Sequence, residues 1–174
     1  VSRWDRLKDM PGVLQGFTDR LDALPANTHL ALVGPDTSGV ADDPEGAAVV
    51  DECVSRWERL PAEVQQRVHL VSLPMDDVDE NAHLVNALQR HAAVVVQKSL
   101  VEGFGLTVTE AMWKARPVIA SAIGGIQDQI QDGVHGLLLE DPHDLSAYGD
   151  ALERVLGDQE YAAKLGQAAR ERVM

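Results

Sequence analysis

Two glutamates flank a short glycine turn in the segment that runs from Glu102 through Gly103 and Gly105 to Glu110. Helical spacing of apolar residues begins at Leu106, directly after this turn. Glycine lets main chain approach a ligand closely, and the free N–H groups at the start of a helix favour an anion such as a phosphate. Carboxylates accept hydrogen bonds from hydroxyl groups. The segment therefore predicts a diphosphate site with hydroxyl-bearing groups on both sides, one a sugar and the other a ribose.

A second candidate loop carries Arg3 and Lys8, which follow what reads as the end of a strand at Val1 and Ser2. Ligands of doubly wound sheets bind outside the carboxyl ends of the strands, so such a loop can reach them. Arginine holds a phosphate through a bidentate fork, and lysine holds it as a point charge. Taken alone, two basic residues five positions apart are more typical of a solvated surface. Because the opening residues read as the end of a strand, we expect one domain of a longer polypeptide.

Short apolar runs alternate with segments of helical spacing, which is typical of a parallel sheet covered by helices. The predicted strands are His29 to Val33, Val68 to Leu73, Ala92 to Gln97, Pro117 to Ser121 and Gly136 to Leu139. The predicted helices are Gly12 to Leu24, Glu45 to Leu60, Asp79 to His91, Leu106 to Lys114, Leu145 to Leu156 and Gln159 to Val173. The expected fold is α/β, a doubly wound Rossmann-like parallel sheet with helices on both faces and a helical C-terminal tail. The composition of Gly34 to Pro44 predicts a loop.

Composition limits the kind of protein this chain belongs to. Its 174 residues fit one domain, and its formal charge of −13 argues against a surface for nucleic acid, which needs clustered cations. Cys53 is the single cysteine, so no disulfide forms within the chain, and its apolar surroundings predict a core position. Neither an apolar run of membrane-spanning length nor a leader segment is present in the sequence, so we expect a cytoplasmic protein without membrane contact.

Several other patterns are set aside. Asp77 and Asp79 spell D-x-D, which binds a metal in another fold, but they stand where a helix should begin, and acids are common caps there. The six histidines are scattered without metal-like spacing, so no metal is expected. The three tryptophans, Trp4, Trp57 and Trp113, are expected to be packing anchors, although Trp4 lies between the two candidate cations. No G-x-G-x-x-G motif follows the first strand, which disfavours a dinucleotide oxidoreductase.

The pair of glutamates separated by seven residues resembles the donor-site motif of retaining GT-B glycosyltransferases of family 4, in their C-terminal domain. The continuation EAMWKARPVIASAIGGIQDQIQDGVHGLLLEDP and the basic pair Arg3 and Lys8 also resemble that family. The similarity runs from Val1 to about Val173. Ala115 stands where the family usually has glycine, and Asp128 where it usually has glutamate. Within the family, VSRWDRLKDMPGVL and VVVQKSLVEGFGLTVTEAMWK most resemble trehalose-forming glucosyltransferases and retaining trehalose phosphorylases.

The resemblance implies a role for each candidate residue. Arg3, Lys8 and Glu102 would be catalytic: the two cations would stabilise the departing diphosphate, and Glu102 would hold glucose hydroxyls. The remaining donor-binding residues would be Gly103, Phe104, Gly105, Leu106, Thr107, Glu110 and Leu73. Glucose would contact the backbone of Gly103 to Gly105, and the diphosphate would contact the N–H groups of Leu106 and Thr107. The ribose would lie at Glu110, and the base near Leu73 and Pro74.

The implied activity is transfer of glucose, with retention, from a nucleoside-diphosphate glucose to a sugar acceptor, most simply glucose to give trehalose. The whole of residues 1–174 would be the donor-binding domain. The acceptor would be held by an N-terminal domain outside this chain, and the full-length protein would be a possible homodimer. No cofactor or metal is implied. A trehalose phosphorylase of the same fold and a non-catalytic nucleotide-sugar sensor stay open as alternatives, as does the base of the donor.

Overall fold

A computed structural model describes residues 1–37 and 44–174 of the chain. The strands are β1 (Leu30–Pro35), β2 (Val68–Leu73), β3 (Val95–Gln97), β4 (Val118–Ser121) and β5 (Leu137–Leu139). The α-helices are α1 (Met10–Asp19), α2 (Pro44–Glu58), α3 (Ala62–Gln65), α4 (Val78–His91), α5 (Leu106–Trp113), α6 (Ile126–Gln129), α7 (Leu145–Gly157) and α8 (Gln159–Val173). Two single 3₁₀ turns flank α1, at Arg6–Lys8 and Leu21–Ala23. The α/β class and the helical tail are confirmed.

The strands form two parallel sheets. In the first, β1 pairs with β2 over its whole length, with Leu30 opposite Val68 and Pro35 opposite Leu73. The second has the order β3-β4-β5, and Gln97 lies opposite Ala120. Within the described ranges no hydrogen-bonded pairing joins β1 to β3, so the expected single sheet is divided between these two strands.

The apolar core explains why these segments form helices and strands. Helix α7 presents Tyr148, Leu152 and Val155 to the core, as its spacing predicts, and packs against α1. Gly16 of α1 makes that approach possible, since a Cβ there would lie 2.4 Å from the Tyr148 ring. Cys53 also belongs to the core, because it has no exposed surface. Desolvation raises the pKa of its thiol to about 12. The prediction that this cysteine belongs to the core is confirmed.

The first aspartate of the D-x-D pattern is a helix cap. The Asp77 carboxylate accepts hydrogen bonds from the N–H groups of Asp79 and Glu80 at the start of α4, at 2.9 and 3.1 Å. Asp144 and Asp158 cap α7 and α8 in the same way. Among the described residues no group of three or more potential ligands could hold a metal ion. The interpretation of Asp77 as a cap is therefore confirmed.

Some expectations about boundaries and packing are wrong. The predicted strand from Ala92 begins only at Val95, because Ala92 is the C-cap of α4 and the next two residues form a bend that leads into the strand. Trp113 is 53% exposed, so it does not anchor the core. The predicted loop from Gly34 to Pro44 is shortened at both ends by β1 and α2, and positions 38–43 within it lie outside the described residues. In the described part of the chain, no helix combines the length and apolar character needed to span a bilayer.

Candidate functional site

The loop between β3 and α5 has a backbone shape that requires glycine. Gly105 lies in the left-handed region at φ 85°, and a Cβ at this position would lie 2.8 Å from Cγ1 of Ile126. No side chain caps α5, because the N-cap residue is Gly105 itself. The first hydrogen bonds of the helix run from the N–H groups of Val108 and Thr109 to the Gly105 carbonyl. The N–H groups of Leu106 and Thr107 come earlier in the helix and, like the first amides of any α-helix, have no carbonyl partner within it.

The structure brings Lys8 and Glu102 together at this loop. Lys8 Nζ donates to Oε2 of Glu102 at 2.6 Å, and only 15% and 13% of the two side chains are exposed. The other carboxylate oxygen of Glu102 accepts the Gly103 N–H at 3.1 Å. Desolvation raises the pKa of Glu102, but the hydrogen bond and charge of Lys8, the Gly103 N–H and Gln97 together outweigh it. The Glu102 pKa therefore lies below its ordinary value, and this carboxylate is ionised at neutral pH.

Two polar side chains at the end of β3 support Glu102. The amide nitrogen Nε2 of Gln97 lies 2.9 Å from Oγ of Ser99, and both groups reach Oε2 of Glu102 at 3.4 Å. Gln97 and Ser99 are buried, at 4% and 0% exposure. Sequence reasoning missed them, although polar residues at the end of an apolar strand are the signal that would have found them. Their contacts orient the carboxylate and lower the cost of burying its charge.

A buried ion pair joins the loop that carries Lys8 to the loop between β3 and α5. Lys98, with no exposed side-chain surface, forms an ion pair with Asp9. Asp9 lies in the left-handed region at φ 49°, and its other oxygen accepts the Gly12 N–H to cap α1. The main chain adds a further tie, from the Leu100 N–H to the Leu7 carbonyl at 2.7 Å. These contacts fix the position of Lys8 opposite Glu102, and sequence reasoning identified neither member of the pair.

The loop after β4 packs against the same turn. A Cβ on Gly124, which has φ 49°, would lie 2.0 Å from the Glu102 carbonyl oxygen. The Gly125 N–H donates to the Gly103 carbonyl at 2.7 Å. The side chain of Gln129 donates to the Phe104 carbonyl. This contact was also missed, and two consecutive glycines shortly after a predicted strand were its signal in the sequence.

The other candidate residues are distributed around this centre. Arg3 is exposed and pairs with Asp5, at 3.2 Å, rather than with Glu102. Glu110 is exposed on α5 and accepts a hydrogen bond from Gln89 at 3.0 Å. Leu73 is buried at the carboxyl end of β2, and Phe104 is 56% exposed. The structure therefore brings Lys8, Glu102 and the start of α5 together, whereas Arg3 remains on the solvent side of its loop.

Trp4 and the two departures from the family pattern also have definite positions. Trp4 is 3% exposed, and its indole N–H donates to the Pro35 carbonyl at 2.9 Å, so it anchors the loop that carries Lys8 to β1. Ala115 adopts φ 55°, a left-handed conformation that is costly for alanine. Asp128 is exposed on α6, and its carbonyl accepts a hydrogen bond from Arg172 at 3.2 Å.

Comparison with solved structures agrees with a GT-B half-fold. The sucrose-phosphate synthase of Thermosynechococcus elongatus superposes with a TM-score of 0.73 and 31% sequence identity, over 98% of this chain and 38% of that one. The fold is thus that of one half of a GT-B glycosyltransferase.

The sequence comparisons identify the family. The model of the family described as glycosyl transferases group 1 matches residues 74–172, and the chain belongs to this family. The trehalose synthases of Rubrobacter xylanophilus and Pyrococcus horikoshii are 38% and 36% identical to it, each over 99% of this chain. The chain spans 38% of the length of each of these two relatives.

Proposed function

We propose that this chain is the donor-binding part of a retaining glucosyltransferase that takes glucose from a nucleoside-diphosphate glucose. The acceptor would be a sugar, most simply glucose to give trehalose, held by a further domain of the longer protein. The ion pair between Lys8 and Glu102 beside the uncapped start of α5 carries the proposal. Similarity to relatives named trehalose synthase supports the choice of product.

The ion pair supplies both kinds of group that a sugar diphosphate needs. Lys8 offers an ammonium that a diphosphate oxygen can share with Glu102. The carboxylate oxygen Oε1, to which the Gly103 N–H donates, has a further lone pair that can accept a sugar hydroxyl group. As the bond to the sugar breaks, negative charge accumulates on the departing diphosphate. A cation already held in place stabilises that charge without reorganisation at the moment of reaction.

The helix start supplies the second half of the anion site. The N–H groups of Leu106 and Thr107 and the dipole of α5 attract phosphate oxygens that lie in front of the helix. Glu110 lies on the second turn and is exposed, where it can accept hydrogen bonds from the ribose hydroxyl groups. Arg3 would place a second positive charge beside the leaving diphosphate once its guanidinium exchanges Asp5 for a phosphate.

Titration calorimetry of the 174-residue chain tests the proposal directly. UDP, ADP and GDP, and the glucose conjugate of each, are the probes, and we expect binding of at least one nucleotide series. Because catalysis also requires the acceptor side, we expect this chain alone to turn over little or no donor. If none of the six compounds binds at millimolar concentration, the donor-site assignment fails.

Glu102→Gln separates the sugar contact from the diphosphate contact. This substitution frees Lys8 from its ion pair, so the nucleoside diphosphate should bind as well as before or better. The glucose conjugate should lose affinity by roughly tenfold, the usual cost of about 1.4 kcal/mol for a charge-assisted hydrogen bond to a hydroxyl group. Equal changes in affinity for the two ligands would contradict the sugar-binding role of Glu102.

Glu110→Ala tests the ribose contact. The variant should weaken a nucleoside diphosphate but leave inorganic pyrophosphate unaffected, because pyrophosphate has no ribose. Glu160→Ala is the matched control, since Glu160 is an exposed glutamate in the first turn of another helix, α8. Equal weakening of both ligands by Glu110→Ala would assign this residue to the phosphates or to the fold instead.

Product analysis of the longer protein distinguishes a synthase from a phosphorylase. The protein is incubated with trehalose and either inorganic phosphate or a nucleoside diphosphate. Formation of a nucleoside-diphosphate glucose supports the proposed transferase. Release of glucose 1-phosphate only, and only with phosphate, would replace it with the phosphorylase.

A further inference from the structure

Gln89 is a buried amide in the last turn of α4. It is 1% exposed, although it is polar, and it is the residue that this helix buries. Its Nε2 donates to Oε2 of Glu110 at 3.0 Å, and its Oε1 accepts a hydrogen bond from Nζ of Lys114. A buried polar side chain lowers stability unless its groups are hydrogen-bonded, and here both ends of the amide are. Helix α4 therefore places an engaged amide against the glutamate that we assign to the ribose.

The two partners of Gln89 leave its amide a single orientation. An ammonium only donates hydrogen bonds, and an ionised carboxylate only accepts them. The amide oxygen must therefore face Lys114, and the amide nitrogen must face Glu110. A reversed amide would place its oxygen against the carboxylate and its NH2 group against the ammonium. Two unlike charges on α5 thus fix the direction of this side chain.

The amide also lies between two charges that could otherwise pair with each other. Glu110 and Lys114 are four positions apart, a spacing at which glutamate and lysine on one helix attract each other. Lys114 instead donates to Gln89, and desolvation lowers its pKa, which the charge of Glu110 only partly offsets. Among the described residues, none donates to the other carboxylate oxygen, Oε1 of Glu110. That oxygen is available to a ligand.

Arg116 ties the ends of the two helices together. Its guanidinium donates to the carbonyl of Ala92, the C-cap of α4, at 3.4 Å. It also donates to the carbonyl of Lys114, the C-cap of α5, at 3.3 Å. The last turn of α4 is therefore held beside α5 through the main chain of both, which brings Gln89 within reach of Glu110.

We propose that Gln89 is a positioning residue for the ribose contact: held by Lys114, it orients the Glu110 carboxylate so that Oε1 accepts the ribose hydroxyl groups of the donor nucleotide. This inference rests on the proposed function, because it takes Glu110 as the ribose-binding residue. It goes further by making selectivity for a ribonucleotide depend on a residue of α4, outside the loop between β3 and α5. A carboxylate oriented in advance loses less rotamer freedom when the ligand binds, so its contact with the ribose is stronger.

Calorimetry with a nucleoside diphosphate and its 2′,3′-dideoxy analogue tests the proposal. The base is that of whichever nucleotide among UDP, ADP and GDP the 174-residue chain binds most tightly. The analogue keeps the base and the diphosphate but lacks both ribose hydroxyl groups, so the ratio of the two affinities reports the ribose contact alone. The parent chain should prefer the ribonucleotide by roughly tenfold or more, as expected for a hydrogen bond to a charged group.

Two substitutions of Gln89 should reduce this preference. Gln89→Met removes both hydrogen bonds and keeps an unbranched side chain of similar length, so Glu110 is free to turn or to pair with Lys114. The preference should fall by roughly threefold or more, the effect of having to immobilise one side chain on binding. Gln89→Glu keeps the size and can still accept from Lys114, but it has no N–H for Glu110, so the preference should fall as well. Affinity for inorganic pyrophosphate should be unchanged in both variants.

Gln65→Met is the matched control. Gln65 is a half-buried glutamine whose amide donates to the carbonyls of Trp57 and Leu60 at the end of α2, at 3.2 and 3.1 Å. Its replacement should lower the melting temperature, because these carbonyls lose their donor, but should leave the preference for the ribonucleotide unchanged. Comparison with Gln89→Met separates positioning of Glu110 from a general loss of stability.

The contrary outcomes are distinct. A preference that persists in both Gln89 variants would show that Glu110 does not need the amide. If Gln89→Met does not fold, a persistent preference in Gln89→Glu alone overturns the proposal. Equal weakening of nucleotide and pyrophosphate, or the same loss of preference in Gln65→Met, would assign Gln89 to the fold.

Failure of the proposed function has a different result. A parent chain that binds no nucleotide would remove the donor site and this inference with it. A parent chain that binds both nucleotides equally would contradict the ribose contact of Glu110, and therefore its positioning, but not the diphosphate site. Binding with a ribonucleotide preference that is insensitive to Gln89 would overturn only this inference.

Discussion

Breaking the buried ion pair between Asp9 and Lys98 should have asymmetric effects. The Lys98 side chain has no exposed surface, whereas 19% of the Asp9 side chain is exposed. Asp9→Asn keeps an acceptor for the Gly12 N–H and tolerates the left-handed conformation, so it removes mainly the charge. It leaves a buried ammonium without its counter-charge, which costs about 3–5 kcal/mol. Lys98→Met leaves a carboxylate that water can reach, and the expected cost is roughly 1–3 kcal/mol.

Urea unfolding at neutral pH, followed by circular dichroism, measures these free energies. A domain of this size changes its melting temperature by roughly 2–4 °C per kcal/mol, so Asp9→Asn should lower it by roughly 6–20 °C. The double variant should be more stable than Asp9→Asn alone, because it removes the stranded charge. Lys164→Met, at an exposed lysine of α8, should change stability by less than about 0.5 kcal/mol.

Two results would refute this reasoning. One is an Asp9→Asn variant less destabilised than Lys98→Met, which would mean that the lysine is not the more deeply buried charge. The other is a double variant whose loss equals the sum of the single losses, since two groups in contact should not be additive.

Three further predictions concern α5 and the loops around it. Ala115→Gly should raise the free energy of unfolding by about 1 kcal/mol, measured by urea titration, because glycine relieves the left-handed strain. Gly124→Ala should weaken nucleotide binding in calorimetry, because its Cβ would strike the Glu102 carbonyl, whereas Gly133→Ala, also at positive φ but in open space, should not. Glu102 has a lowered pKa, so its contribution to stability is present above the ordinary carboxyl pKa of about 4.3 and is lost as pH falls through the folded-state pKa. Glu102→Gln should therefore lose less stability on acidification than the parent, as measured by unfolding at a series of pH values.

Local patterns in the sequence predicted most of the fold. The strand from Val68 to Leu73 and the helix from Gln159 to Val173 have the predicted bounds, because an apolar run and a helical period each have clear ends. The glycine turn before α5 was also predictable, since a left-handed residue there requires glycine. Lys98 was not identified, because its burial depends on Asp9, which lies 89 positions earlier in the chain. Contacts between residues so far apart in the chain depend on tertiary packing, and they produce no periodic pattern in the nearby sequence.

The loop that carries Lys8 is held at both of its ends. At the amino end, the Ser2 N–H donates to the Val33 carbonyl, and the Trp4 indole donates to the Pro35 carbonyl, so both contacts attach the loop to β1. At the carboxyl end, Asp9 pairs with the buried Lys98, which follows β3. Because both attachments act on one short segment, the ammonium of Lys8 is held opposite Glu102 before any ligand binds. Charge that is positioned in advance is what the proposed departure of a diphosphate requires.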